Sequence, residues 1–370
     1  MIISRTPFRI SFFGGGTDYP AWSRQHGGQV LSTTIDKYCY LTLRYLPPFF
    51  EHRYRVVYSK MENVKRVDEI MHPVVRETLR YLDFDTGLEI HHDGDLPARS
   101  GMGTSSSFTV GLLNAICALQ GVVCGKMQLA DQAIHIEQEL VGDTVGSQDQ
   151  AAVAFGGLNR IVFHKNGKVD VRPVSVSIDR INELNDNLML FFTGVLRTAS
   201  TIARQYVVDL ERKEHLLRLM HQMVDTGIEI LCSHRSLCSF GDLMHQGWLL
   251  KKSLSSEISN SCIDDVYGRA LDAGALGGKI TGAGGGGFML LFVPRDDQAR
   301  VREALGELLH IPFRFEGNGS QIIFHDPNVD DFRHIIDERD IRNFKCFTEM
   351  RRPSGTGAEK SCLELLKTAN

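Results

Sequence analysis

The sequence reads as strands mixed with helices in two domains, a pattern that fits an α+β fold, and three observations lead there. The chain has 370 residues, more than one hydrophobic core of ordinary size organises. Segments alternating apolar and polar residues take turns with segments whose apolar residues recur at helical spacing. Three glycine-rich tracts, at 14–16, 101–103 and 282–287, lie far apart, each at a junction between the two kinds of pattern.

Residues 1–13 read as a strand alternating around Phe8, Ile10 and Phe12, stopped by Gly14-Gly15-Gly16-Thr17-Asp18-Tyr19-Pro20. Further strands are expected at 29–35, 38–45, 54–58 and 88–92. A helix is expected over 74–82 and another over 105–119, where Phe108, Leu112, Ala115 and Leu119 share a face. A third covers about 127–140. Residues 142–149 read as a loop, and 150–155 as a short helix or turn ended by Gly156-Gly157. A strand at 187–193 opens the second domain. Helical patterns follow at 201–233, 240–255 and 264–273, then the glycine tract at 277–287. A strand at 288–293, a helix near 297–309 and a strand near 319–325 close it. The expected division is therefore 1–186, 187–330 and a charged, polar tail over 331–370. No internal repeat is present.

Hydrophobic content of 42% and charged content of 23% are those of an ordinary globular protein. A net charge of −4 gives no general attraction to nucleic acid or to an anionic membrane. An anionic ligand would need local positive charge. The first residues lack the basic start and apolar core of a signal peptide, and no apolar run reaches bilayer length. The eight cysteines include no C-x-x-C pair, which speaks against a structural zinc site and a disulfide framework. The expectation is a cytoplasmic protein with reduced thiols and neither nucleic-acid nor membrane partners. An assembly of identical subunits is left open.

The run Leu96-Pro97-Ala98-Arg99-Ser100-Gly101-Met102-Gly103-Thr104-Ser105-Ser106-Ser107-Phe108 sets glycines and hydroxyls at the entrance of a helix. Unpaired N–H groups and the positive end of the helix dipole make such an entrance an anion site. No G-x-x-x-x-G-K-[ST] occurs, so a nucleotide here would be held without a Walker lysine. No strand is followed by G-x-G-x-x-G with an acidic residue about twenty positions on, which disfavours a dinucleotide-binding oxidoreductase.

Together, the segments Pro7–Asp18, Leu96–Phe108 and Lys279–Gly287 resemble the three signature motifs of the GHMP kinases, in the family's order. The resemblance implies a two-domain fold, with a mixed N-terminal domain, a ferredoxin-like C-terminal domain and an active site in the cleft. It implies ATP-dependent phosphorylation of a small molecule's hydroxyl, with Mg²⁺. Arg99, Ser100, Gly101, Met102, Gly103, Thr104, Ser105 and Ser106 would then cradle the ATP phosphates, the glycines letting backbone approach them. Ser105, or its neighbour Ser106, would give Mg²⁺ a hydroxyl, and Glu137 a carboxylate, with Glu139 as the alternative. Without the resemblance, these would read as ordinary helix residues. Asp149, in Gly146-Ser147-Gln148-Asp149-Gln150, matches the catalytic aspartate of the sugar-kinase branch and would accept the substrate's proton. Its simpler role is to cap a helix beginning at Gln150. Arg9 takes the place of the basic residue near the transferring phosphoryl group.

Asp18, with Gly15, Gly16 and Thr17, would hold the sugar, and Gly284 and Gly285 would complete that pocket. The three glycines at 14–16 depart from galactokinase, which puts galactose in doubt. Gly14–Pro20, Gly146–Gln150, Phe155–Asn159, Phe192–Gly194 and Phe315–Gln321 look most like the D-glycero-D-manno-heptose 7-phosphate kinases. That implies a sugar-phosphate acceptor phosphorylated on its anomeric hydroxyl, for nucleotide-activated heptose synthesis. Arg197 is the candidate cation for the phosphate it already carries, with Lys37 and Arg99 as alternatives. A kinase of another sugar, such as fucose or arabinose, and a non-catalytic metabolite-binding relative are the competing readings.

Overall fold

The computed structural model describes residues 1–47, 49–195 and 213–326. The first strand, β1 (Ile2–Phe13), pairs antiparallel with β2 (Gly28–Tyr45). The sheet grows through β3 (Tyr54–Val57), β4 (Met61–Val64), β5 (Leu88–Gly94), β6 (Asn159–Phe163) and β7 (Val169–Pro173). The helix Thr104–Leu119 lies against β1 and β2 and is buried on almost every side, through Phe108, Val110, Leu112, Leu113 and Ile116. That burial explains why its sequence is apolar nearly all round and not two-faced.

A second sheet contains β8 (Leu188–Phe192), β9 (Gly277–Ile280), β10 (Phe288–Phe292) and β11 (Leu309–His310). Its order is β11-β8-β10-β9, antiparallel throughout. The helices Glu214–Cys232, Cys238–Lys252 and Ser261–Asp272 separate β8 from β9, and Gln298–Ala304 separates β10 from β11. Strand, helices, two strands, helix, strand in this spatial order is the ferredoxin-like arrangement that the resemblance implied. Two short strands, β12 (Phe315–Glu316) and β13 (Gln321–His325), then return to the first sheet. There β12 pairs with β2 and β13 with β1, giving nine strands among the described residues.

The structure departs from the sequence reading at identifiable places. The strands expected at 29–35 and 38–45 are one strand. Its register slips between Pro7 opposite Tyr38 and Phe8 opposite Ile35, so Asp36 and Lys37 form a bulge and not an end. The helix expected to run to 140 is α-helical over Lys126–His135 and continues as a wider π-helical turn over Ile136–Leu140. The last strand leaves its neighbours in sequence and crosses to β1, so a division at 187 assigns two strands of the first sheet to the second segment. The 331–370 tail, Arg197 and the start of the 201–233 helix lie outside the described residues. The six described cysteines are free. No described helix is long and apolar enough to cross a membrane.

Candidate active site

The three glycine tracts come together in space, and backbone does most of the joining. Gly101 has φ +77°, and a Cβ there would sit 2.5 Å from the Thr281 carbonyl oxygen. In turn, a Cβ on Gly282 would sit 2.5 Å from the Gly101 Cα. Main chain of the second tract therefore packs on main chain of the third, a closeness that side chains would forbid. The Thr281 hydroxyl donates to the Ser100 carbonyl across the same seam at 3.3 Å.

These segments border a cavity of about 340 Å³. Arg9, Asp18, Gly101, Glu137 and Asp149 reach it from one side, and Lys251, Lys279, Gly282 and Ala283 from the other. Thr104, Ser105 and Ser106 also line it, at the first turn of the Thr104–Leu119 helix. The preceding residue, Gly103, makes no side-chain cap, so the helix entrance faces the cavity with its amide donors uncapped.

Arg9 is nearly fully buried on β1 and forms a two-pronged ion pair with Asp149, Nε to Oδ1 at 2.7 Å and Nη2 to Oδ2 at 2.8 Å. Its third nitrogen, Nη1, donates to the Gly101 carbonyl at 2.6 Å. Its backbone amide donates to the Met102 carbonyl at 3.0 Å. One arginine thus fixes both the aspartate and the glycine loop. The helix carrying Asp149 begins at Gln148, so the aspartate lies within its first turn and does not cap it.

Glu137 lies in the π-helical turn, a feature frequent at functional positions. It is 1% exposed. Its Oε2 accepts from the Ser106 hydroxyl at 3.0 Å and from Gln150 Nε2 at 2.6 Å, while Oε1 has no partner. Burial pushes its pKa up to about 7, and the charge of Asp149 adds to the rise. Ser106, not Ser105, is the serine facing Glu137. Ser105 is exposed on the cavity wall, because successive helical positions point about 100° apart. Glu139 is exposed and away from the cavity. A buried carboxylate oxygen without a donor, beside a serine hydroxyl, fits a hard cation. Two protein oxygens suffice for Mg²⁺, which takes its other ligands from phosphates and water. No group of three or more His, Cys, Asp or Glu among the described residues forms a fuller metal cage.

Asp18 is buried, its Oδ1 accepting from the Gly16 amide and its Oδ2 from Gln148 Nε2, both at 2.9 Å. Burial raises its pKa, with a further rise from Asp149. The loop before the Gln148–Phe155 helix leaves no room behind it: a Cβ on Gly146 would fall 1.7 Å from Asp18 Oδ2.

Several expected contacts are built differently. Thr17 is buried, donating to the carbonyls of Gly14 and Gln29, so it holds the loop in shape and does not face the cavity. Met102 is wholly buried in the core, and Ser100 is buried behind the loop. Gly284 and Gly285 pack against Ile258, the Gly285 amide donating to its carbonyl at 2.9 Å, and stand off the cavity wall. Gly15, Gly16 and Arg99 do line it. Lys37 is committed to Asp36 at 3.1 Å.

Sequence reasoning missed two lysines. Lys279 donates to the carbonyls of Ser11 at 2.9 Å and Phe12 at 3.1 Å. Lys251 donates to the carbonyls of Ile280 at 3.3 Å and of Gly282. Lys279 stood in the third motif. Lys251, in Trp248-Leu249-Leu250-Lys251-Lys252, reads as an ordinary basic helix end.

The comparisons with known proteins agree with this geometry. The family profile of the GHMP kinases N terminal domain matches residues 67–157, and that of the GHMP kinases C terminal domain matches 229–311. A D-glycero-alpha-D-manno-heptose 7-phosphate kinase of Campylobacter jejuni is 30% identical over 319 residues, covering 82% of this chain and 93% of that one. The crystal structure of a D-glycero-D-manno-heptose 1-phosphate kinase from Bacteroides thetaiotaomicron superposes with a TM-score of 0.66 at 25% identity. The match covers 88% of this chain and all of that one. Lactococcus lactis galactokinase, solved with galactose, shares the fold with a TM-score of 0.68 at 19% identity, over 86% and 94% of the two chains.

Proposed function

The chain belongs to the GHMP kinase family, and from that premise we propose that it transfers the γ-phosphate of ATP to the anomeric hydroxyl of D-glycero-D-manno-heptose 7-phosphate. The product is the 1,7-bisphosphate. The observation that carries the reading is the ion pair of Arg9 and Asp149, locked to the glycine loop at Gly101 inside a cavity shared with Asp18 and Glu137. That set provides a base, a phosphate cradle, a hydroxyl-binding carboxylate and a metal ligand in one place.

In this mechanism Asp18 accepts hydrogen bonds from hydroxyls of the sugar and orients it, with Gly15 and Gly16 letting the ring approach the loop. Asp149 takes the proton of the anomeric hydroxyl as that oxygen bonds to the γ-phosphorus and the bond to the ADP oxygen breaks. The anomeric hydroxyl is more acidic than an ordinary alcohol, which suits a carboxylate base. Arg9 holds the two Asp149 oxygens in line and sets positive charge beside the transferring group. The amides at the helix entrance hold the nucleotide's phosphates. Glu137 and Ser106 would hold Mg²⁺, which would supply charge neutralisation on the phosphates. Arg197 stays a sequence-based candidate for the 7-phosphate.

The test is an ATP-consumption panel over free sugars and their terminal phosphates. Turnover highest on the heptose 7-phosphate, with the new phosphate at C1, is expected. Preference for free fucose or arabinose would replace the acceptor while leaving the kinase class intact.

A further inference from the structure

We propose that Lys251, supported by Lys279, forms a buried cationic subsite that receives the phosphate already carried by the acceptor sugar. The lysines border the same cavity as the glycine loop that receives the nucleotide, from the second sheet's side, and the proposal rests on the acceptor reading above.

Four observations carry it. Both lysines are at least nine-tenths buried and still border the cavity. Each ammonium has three donors, and the hydrogen bonds observed are to two backbone carbonyls apiece: Ile280 and Gly282 for Lys251, Ser11 and Phe12 for Lys279. Neither forms an ion pair with a carboxylate among the described residues, although nearly every other buried charge in the cleft is committed. Arg9 is taken by Asp149, and Asp18 by Gly16 and Gln148. Two buried cations without a counter-ion are costly, and a bound dianion is the group that would relieve the cost. The shifts agree in direction: burial first, with Arg9 adding and Asp18 opposing, lowers the Lys251 pKa to about 7, and burial and Lys251 hold Lys279 well below its usual range, so a bound anion favours the charged form of both.

Position favours the acceptor's anion. Lys251 borders the cavity together with Asp18, the carboxylate read as holding the sugar. Its neighbours on the cavity wall include Leu254 and Ile258, apolar residues unlike the hydroxyl-rich helix entrance. Glu137, on the metal side, pairs instead with Ser106 and Gln150. The second sheet's half of the cleft thus provides a cation where the first half provides a hydroxyl acceptor. A sugar carrying a phosphate bridges the two.

The experiment compares wild type, Lys251→Met, Lys251→Arg and Lys279→Met. KM is measured for D-glycero-D-manno-heptose 7-phosphate, for the unphosphorylated heptose and for ATP. In parallel, thermal shift with inorganic phosphate is recorded with ADP saturating, a readout needing no turnover. Lys251→Met should raise KM for the sugar phosphate at least tenfold, leave KM for the free sugar and for ATP within about twofold, and abolish stabilisation by phosphate. Lys251→Arg should retain that stabilisation, which guards against loss of folding as the cause. Phosphate stabilising Lys251→Met as it does wild type, or failing to stabilise wild type, overturns the proposal. So does a rise in KM for ATP, or equal rises for both sugars. If wild type ignores the heptose 7-phosphate while phosphate binding still depends on Lys251, the subsite stands and the acceptor's identity falls.

Discussion

Asp149 and Glu137 are both carboxylates near the glycine loop, yet their surroundings differ in a way that suits the different tasks proposed for them. Asp149 is held by a guanidinium through two hydrogen bonds and keeps part of its side chain accessible, as a base that must meet substrate requires. Asp149→Asn should lower turnover by roughly 10²-fold or more while leaving nucleotide affinity nearly unchanged. Steady-state turnover beside equilibrium titration of an ATP analogue checks this, and normal turnover would remove the base assignment. Glu137 is sealed away with one oxygen unpaired, so its charge is tolerable chiefly when a cation is present. Its folded pKa of about 7 lies above its ordinary 4.5. Its contribution to stability is therefore complete below about pH 4.5 and is lost as pH rises through about 7. Without metal, Glu137→Gln should be more stable than wild type at pH 8, by up to about 3 kcal/mol, and the gain should vanish towards pH 5. The same variant should lose activity at Mg²⁺ concentrations that saturate wild type. Melting curves across that pH range, with and without Mg²⁺, provide both readouts, and a variant no more stable at pH 8 than at pH 5 contradicts the burial argument.

Elements set these residues in place by close backbone contact more than by side-chain packing. The residues before the Gln148–Phe155 helix pass Asp18 so closely that only glycine fits at 146. Gly146→Ala should displace Asp18 and cut kcat/KM by roughly 10²-fold, since a misplacement of about 1 Å can have that effect. Unchanged acceptor KM in that variant would show that Asp18 does not touch the sugar. Much of this was legible in the sequence. The strand ending at Gly14 and the helix after the glycine loop follow from periodicity and glycine placement, whereas the ferredoxin-like second sheet came only through the family resemblance. The identities of Arg9, Asp18, Glu137 and Asp149 came through the resemblance of short motifs. What was not legible depends on register and on handedness around a helix. The bulge at Asp36 and Lys37 looks like a strand break until its partner strand is known. Which of Ser105 and Ser106 turns towards Glu137 depends on a π-helical turn that periodicity does not announce. Thr17 and Gly284 sit within motifs and serve backbone packing, which spacing alone does not distinguish from ligand contact. Lys251 gave no signal because a basic residue at a helix end is ordinary until burial is seen.

At the scale of the whole molecule, the cleft exists because two sheets meet through glycine. Gly101 and Gly282 touch across the seam, Lys279 reaches from β9 to carbonyls at the end of β1, and β13 returns to pair with β1. Gly282→Ala places a Cβ at φ +67° and against Gly101, so it should lower stability by about 1–3 kcal/mol and reduce turnover as the seam opens. Denaturant unfolding measures the first and steady-state assay the second; a fully stable, fully active variant would mean the seam is not tight. In the proposed mechanism the same joint lets charge neutralisation be spread over Arg9, Glu137 and the helix entrance, in a chain without a Walker lysine. In the proposed reaction this shared cleft phosphorylates a sugar phosphate at its anomeric oxygen. The direct measurement is phosphorus NMR of the product formed from Mg·ATP and D-glycero-D-manno-heptose 7-phosphate. The expected spectrum shows a second sugar phosphate signal coupled to the C1 proton, with the 7-phosphate retained and ADP formed in equal amount. ADP formed with no phosphate at C1, or no turnover of this acceptor while a free sugar is phosphorylated, would contradict it.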